Sequence, residues 1–166
     1  MGLIKTSLID YPKRVSAVVF LSGCNLRCPY CHNPGLIGTK DPDDFITLQE
    51  FRDFLTERQN LISGVTITGG EPLLHPALPL IITTIREFNL KVKIDTNGTR
   101  PDILASLHPD FIAMDVKTSP EHYERVTGNG PESAGIPEIA AAIRKSIRYI
   151  ISSGIEHEFR TTMAPD

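Results

Sequence analysis

Val15-Ser16-Ala17-Val18-Val19-Phe20-Leu21 runs directly into Ser22-Gly23-Cys24-Asn25-Leu26-Arg27-Cys28-Pro29-Tyr30-Cys31-His32-Asn33-Pro34. The first part is almost wholly apolar and rich in β-branched residues, which predicts a buried strand. The second part is a loop with cysteines at 24, 28 and 31, the spacing CxxxCxxC. Parallel α/β folds place their sites in loops beyond the carboxyl ends of strands, and this stretch has that order.

The same alternation continues along the chain. Strands are predicted at Val65–Thr68, Leu90–Ile94, Phe111–Val116 and Glu156–Thr162, giving five with Val15–Leu21. Helices fall between them. Thr47 caps one over Leu48–Arg58, with Glu50 at the capping-box position. Others cover Leu78–Phe88, Pro101–Leu107 with proline in its first turn, and Pro137–Ser152, stopped before Gly154. Strand–helix alternation implies parallel pairing with right-handed crossovers. A closed eight-stranded barrel takes about 250 residues, and this chain has 166. A partial barrel and an open doubly wound sheet both fit the spacing.

All three cysteines of the chain lie in the one loop, which argues against a disulfide framework and for a metal or cluster. Iron–sulfur clusters usually take four protein thiolates. With three, a [4Fe–4S] cluster keeps one iron open to an outside ligand. Zinc is the alternative and needs four ligands, commonly Cys₄ or Cys₃His. His32 adjoins Cys31, a poor spacing for two ligands of one tetrahedral ion, and His75, His108, His122 and His157 form no paired spacing.

Composition narrows the class further. Apolar residues make up 40% and charged residues 22%, as in an ordinary globular domain. The net charge is −3 and no basic run occurs, so nucleic acid is not the expected partner. No stretch approaches the roughly 18 apolar residues of a membrane span. Lys5, Asp10, Lys13 and Arg14 interrupt any signal-peptide core. Met1-Gly2-Leu3-Ile4-Lys5-Thr6 fits a myristoylation pattern that is short and common. No membrane association is expected, and the expected compartment is the cytoplasm.

Further motifs follow the later strands. Thr68-Gly69-Gly70-Glu71-Pro72 offers bare backbone at a strand end, where a ligand can come close; a plain tight turn is the simpler explanation. Asp95-Thr96-Asn97-Gly98 contains the common Asn-Gly turn. Asp115 and Lys117, two apart, point to the same side and could form an ion pair. Arg160 lies on the last predicted strand. Each has an ordinary structural explanation alone, but all fall at or near carboxyl ends of successive strands.

CxxxCxxC with Tyr30 before the last cysteine resembles the radical S-adenosylmethionine (SAM) superfamily. The longer string from Thr6-Ser7-Leu8-Ile9-Asp10-Tyr11-Pro12 through Cys31-His32-Asn33-Pro34 is similar to activating proteins of glycyl radical enzymes, those of anaerobic ribonucleotide reductase and of pyruvate formate-lyase. The resemblance implies an α/β fold of the partial parallel barrel type with about five strands. It implies that residues 1–166 form a single domain, with the last βα unit of the family absent. Cys24, Cys28 and Cys31 would ligate a [4Fe–4S] cluster, and SAM would chelate the fourth iron. Tyr30 and His32 would flank the adenosine, and Gly69, Gly70 and Glu71 would meet the methionine ammonium. Asp95, Thr96, Asp115, Lys117 and Arg160 would lie near the ribose and carboxylate, with a monovalent cation near Asp95 and Asp115. Lys117 would belong with the cysteines to the catalytic set. A 5′-deoxyadenosyl radical would take hydrogen from a glycine of the partner enzyme, with electrons from a flavodoxin- or ferredoxin-like donor. Action on a small metabolite and a non-catalytic cluster or zinc module are the alternatives.

Overall fold

The computed structural model describes residues 1–38, 45–119, 122–127 and 135–163. Its strands are β1 (Gly2–Ser7), β2 (Ser16–Leu21), β3 (Gly64–Gly69), β4 (Lys91–Thr96), β5 (Phe111–Asp115) and β6 (Glu156–Arg160). Its helices are α1 (Leu48–Arg58), α2 (Leu78–Glu87), α3 (Pro101–Leu107), α4 (Glu124–Thr127) and α5 (Ile136–Ser153). The strands form one sheet in the order β1-β2-β3-β4-β5-β6. β2 to β6 are parallel neighbours, and β1 pairs antiparallel with β2. The architecture is a partial (βα) barrel with six strands rather than the five expected.

β1 is the strand that the sequence does not announce. Of its residues only Ser7 is buried, and Ile4, Lys5 and Thr6 are exposed. It is an antiparallel edge strand without an apolar run, so it carries no period that marks a buried strand. The segment Ala164–Asp166, at which the sequence reading placed the end of the domain, lies outside the described residues.

Local chemistry explains the helix ends. Thr47 Oγ1 accepts from Glu50 N at 3.2 Å while Glu50 Oε2 accepts from Thr47 N at 2.7 Å, a reciprocal capping box. α5 stops at Gly154, whose φ of 73° lies in the left-handed region that glycine enters at low cost.

The two sheet faces differ. Val19, Leu21, Ile67, Val92, Ile94, Ile112 and Met114 alternate onto the face packed against Phe51, Leu55, Ile81, Ile85, Leu104 and Ile143 of the helices. The other face carries Thr66, Lys93, Asp95, Ala113 and Asp115. Tyr11 fills its lower end: the ring lies 5.9 Å from that of Phe111, and a Cβ on Gly64 would come within 2.9 Å of it. The fold thus leaves the upper end of this inner face for a ligand. Among the described residues, β6 pairs only with β5.

Candidate functional site

Beyond the carboxyl end of β2 the chain turns into the cysteine loop, whose backbone is tied down at several points. Gly23 N donates to Leu36 O at 2.8 Å, Cys24 N to Ile37 O at 3.1 Å, and Cys31 N to Cys28 O at 3.1 Å. From the far side Arg27 N donates to Val126 O of α4 at 2.6 Å. Cys24, Cys28 and Cys31 are free thiols, each partly buried. Burial pushes the Cys24 thiol up to about 11 and raises Cys28 as well, so both are protonated in the metal-free chain at neutral pH. Ligation requires the thiolates, so metal uptake releases these protons.

The loop faces a cleft whose empty space, counting the part open to solvent, is about 880 Å³. Of the residues singled out from sequence, Cys24, Cys28, Cys31, Tyr30, His32 and Gly69–Gly70 line one side. Asp95, Thr96, Asp115 and Lys117 line the other. Glu71 and Arg160 do not line it.

Gly69 and Gly70 are glycines because backbone passes too close for a side chain. Gly69 has φ 122°, and a Cβ there would lie 2.3 Å from Leu21 O. At Gly70 a Cβ would lie 2.1 Å from Gly23 O. The sequence left a ligand's approach and a plain tight turn both open; the nearest obstacle is the end of β2 for Gly69 and the start of the cysteine loop for Gly70.

Glu71 departs from expectation. Its side chain turns inward and is buried, with Oε1 accepting from Leu73 N at 3.1 Å and Thr96 Oγ1 at 2.7 Å, and Oε2 accepting from Asn97 N at 2.6 Å. These bonds hold the carboxylate away from the cleft, where a ligand ammonium was expected to meet it. Burial pushes its pKa up to about 7, against the pull of the Asn97 and Thr96 donors.

The opposite wall is a chain of charges. Lys93 Nζ lies 2.5 Å from Asp95 Oδ1, Arg160 Nη1 3.1 Å from Asp95 Oδ2, Arg160 Nε 2.8 Å from Asp115 Oδ1, and Lys117 Nζ 2.7 Å from Asp115 Oδ2. Arg160 therefore bridges the two aspartates between which a monovalent cation was expected. Burial works against the Lys117 ammonium, but Asp115 outweighs it and holds its pKa above the ordinary value. Tyr30 Oη donates to Lys117 O at 2.9 Å and joins the two walls.

Residues 18–164 match the radical SAM superfamily. The chain belongs to that superfamily. It is 36% identical over 99% of its length to a Methanocaldococcus jannaschii protein named as a glycyl-radical enzyme activating enzyme, and spans 68% of that protein. It is 34% identical over 74% of its length to the pyruvate formate-lyase-activating enzyme of Clostridium pasteurianum, of which the match spans 54%. The chain thus spans between about half and two thirds of these relatives. In fold it is similar to Streptococcus suis SuiB bound to S-adenosylmethionine, with a TM-score of 0.60 and 17% identity over 90% of this chain and 32% of SuiB.

The donor set of this radical SAM chain fits an iron–sulfur cluster. A tetrahedral zinc ion draws four donors to about 2.0–2.3 Å of one point. Three free thiols, with no fourth cysteine in the chain, suit a [4Fe–4S] cluster that keeps one iron open to another ligand.

Sequence reasoning missed Lys93, whose side chain is only 2% exposed. A lysine two residues before Asp95 on a strand was the available signal, since alternate residues share a face. It also missed Asn25 and Thr99, which nothing in the sequence connects to each other.

Proposed function

We propose that this chain is a glycyl radical enzyme activating enzyme in which Cys24, Cys28 and Cys31 hold a [4Fe–4S] cluster and the facing wall holds SAM. The observation that supports this most is the meeting of three free thiols, the Gly69–Gly70 backbone, Asp95, Asp115 and Lys117 around one cleft, with Arg160 bridging the two aspartates. When bound, a cluster with one iron open to SAM supplies an electron to the sulfonium and yields methionine and a 5′-deoxyadenosyl radical.

The chain's own residues do the rest. The aspartates and Lys117 offer both signs of charge, matching the ammonium and carboxylate of a methionine moiety. Arg160 supplies the positive charge between Asp95 and Asp115 without a bound cation. Tyr30 and His32, on the rim, flank the adenine side. The names of the relatives support a partner glycyl radical enzyme as the target. A flavodoxin- or ferredoxin-like electron donor is part of the proposal by family resemblance alone. An oxygen-sensitive cluster and three free thiols suit the cytoplasm, and no described helix is long and apolar enough to cross a membrane.

Anaerobic reconstitution with iron and sulfide, followed by a reductive SAM-cleavage assay, tests the proposal. About four irons and four sulfides per chain are expected, with 5′-deoxyadenosine as product. Cys28→Ala is expected to abolish both, because no spare thiol exists in the chain. Stoichiometric zinc in place of iron, or an intact cluster in Cys28→Ala, overturns it.

A further inference from the structure

Glu71 sits at one end of a polar chain that runs beneath the cleft to the cysteine loop. Its Oε2 accepts from Asn97 N at 2.6 Å. Asn97 Nδ2 donates to Asn25 Oδ1 at 3.0 Å, and Asn25 lies directly after Cys24. Asn25 Nδ2 donates to Thr99 Oγ1 at 2.9 Å, and Thr99 Oγ1 donates back to Asn97 Oδ1 at 2.7 Å, closing a ring of three side chains. The Glu71 amide also donates to Gly23 O, the residue before Cys24, at 2.7 Å.

We propose that Glu71 is a positioning residue that touches no ligand: through Asn97 it orients Asn25, and with it sets the conformation of the Cys24–Cys31 loop. The proposal rests on the functional reading above only in taking that loop as the cluster site. Its physical basis is the matching of donors and acceptors. A carboxylate only accepts, and three donors converge on this one. The Asn97 backbone is thereby fixed, and Thr99, whose N and Oγ1 both donate to Asn97 Oδ1, holds the Asn97 amide nitrogen toward Asn25. Asn25 spends both its donor and its acceptor within the ring, so it has one orientation that satisfies every bond. Three segments distant in sequence, the Gly-Gly-Glu turn, the turn after β4 and the cysteine loop, are locked into one relative placement.

The test is amide hydrogen exchange of the metal-free full-length chain at pH 8, comparing wild type with Glu71→Gln, Asn25→Ala and Asn25→Asp. Glutamine presents an NH₂ group where Asn97 N–H needs an acceptor. Exchange at Cys24 and Arg27, whose amides are bonded to Ile37 O and Val126 O, is expected to quicken about tenfold in Glu71→Gln and in Asn25→Ala. Asn25→Asp keeps the acceptor that faces Asn97 and is expected to recover most of the protection. The Glu71→Gln/Asn25→Ala double variant is expected to be no faster than the faster single one, because both cut the same chain. Should Glu71→Gln fail to fold, Asn25→Ala, altered at a partly exposed loop position, carries the measurement with Asn25→Asp as its control. Unchanged protection in Asn25→Ala, or additive effects in the double variant, overturns the proposal. So does a Glu71→Gln chain that weakens SAM binding after reconstitution while its loop exchanges as in wild type. Failure of wild type to take up iron would refute the cluster reading instead and leave the exchange result standing.

Discussion

Along β2 and β3 the wall of the cleft is main chain: Gly70 N donates to Leu21 O at 2.8 Å, and Gly23 O accepts from Glu71 N at 2.7 Å. Along β4, β5 and β6 the wall is charged side chains, with Arg160 shared between Asp95 and Asp115. A wall of backbone has no free volume beside it, so it fails by collision. A wall of charges fails by degrees, since each aspartate keeps a second partner when one is lost. The thiols need a fixed cradle, whereas a zwitterionic ligand needs matched charge that can adjust to it.

The backbone wall gives the largest expected effect. In Gly70→Val the new Cβ would lie 2.1 Å from Gly23 O and 3.0 Å from Leu36 O. Both atoms belong to the hydrogen-bonded frame of the cysteine loop, so the loop is displaced and not merely the ligand. Overpacking typically costs about 1–3 kcal/mol, occasionally more. Urea unfolding is expected to show at least that loss, and reconstitution a chain that retains little iron. A Gly70→Val variant with wild-type iron content and weakened SAM binding alone would show that the closeness serves the ligand after all, and the contrast between the walls would fall.

Glu71 joins the two walls and gives a pH effect. Burial raises its pKa to about 7, above the ordinary value of 4.5. A carboxyl whose folded pKa is raised takes up a proton on folding. Its contribution to stability is therefore full below about pH 4.5 and is lost as pH rises toward 7. At about 1.4 kcal/mol per pH unit, the loss is on the order of 3 kcal/mol. Glu71→Gln is expected to remove this slope, measured as the difference in urea stability between pH 5 and pH 8 for both chains. Equal slopes would mean that the three donors hold the carboxylate ionised throughout.

Strands β2 to β5 were legible because each is buried and apolar on the helix side, and a strong period is hard to misread; β6 stands where a buried strand was expected, although none of its residues is buried. β1 was not legible, because an edge strand with one buried residue carries no such period. At the site, the spacing of Cys24, Cys28 and Cys31 and the ends of the strands indicated which residues gather at the cleft. Side-chain direction was less legible. Nothing in Gly69-Gly70-Glu71 tells that the carboxylate turns inward, because its partners Thr96 and Asn97 stand 25 and 26 residues away. For Arg160 the resemblance implied a place near the ligand, but its bridging of Asp95 and Asp115 shows only once β5 and β6 pair and bring Asp115 opposite it.

The charged wall gives the smallest expected effect. In Asp115→Ala, Lys117 and Arg160 each lose a carboxylate, but Arg160 keeps Asp95 at 3.1 Å and Asp95 keeps Lys93 at 2.5 Å. Lys117 loses its carboxylate but is still 20% exposed, so no fully buried charge is stranded and the fold is expected to stay close to wild type in urea. What changes is the field at the cleft, where Lys117 loses the partner that restrains its ammonium. Outer contacts at metal sites are typically worth about 10–100-fold in affinity or activity. SAM affinity of the reconstituted chain is expected to fall within that range while iron content stays at the wild-type level. Loss of iron in Asp115→Ala would mean that the charges hold up the cysteine loop too, and that the two walls act as one unit. Unchanged SAM affinity would mean that Asp115 serves only its two cations, and that the ligand takes its contacts from Asp95 and the backbone side.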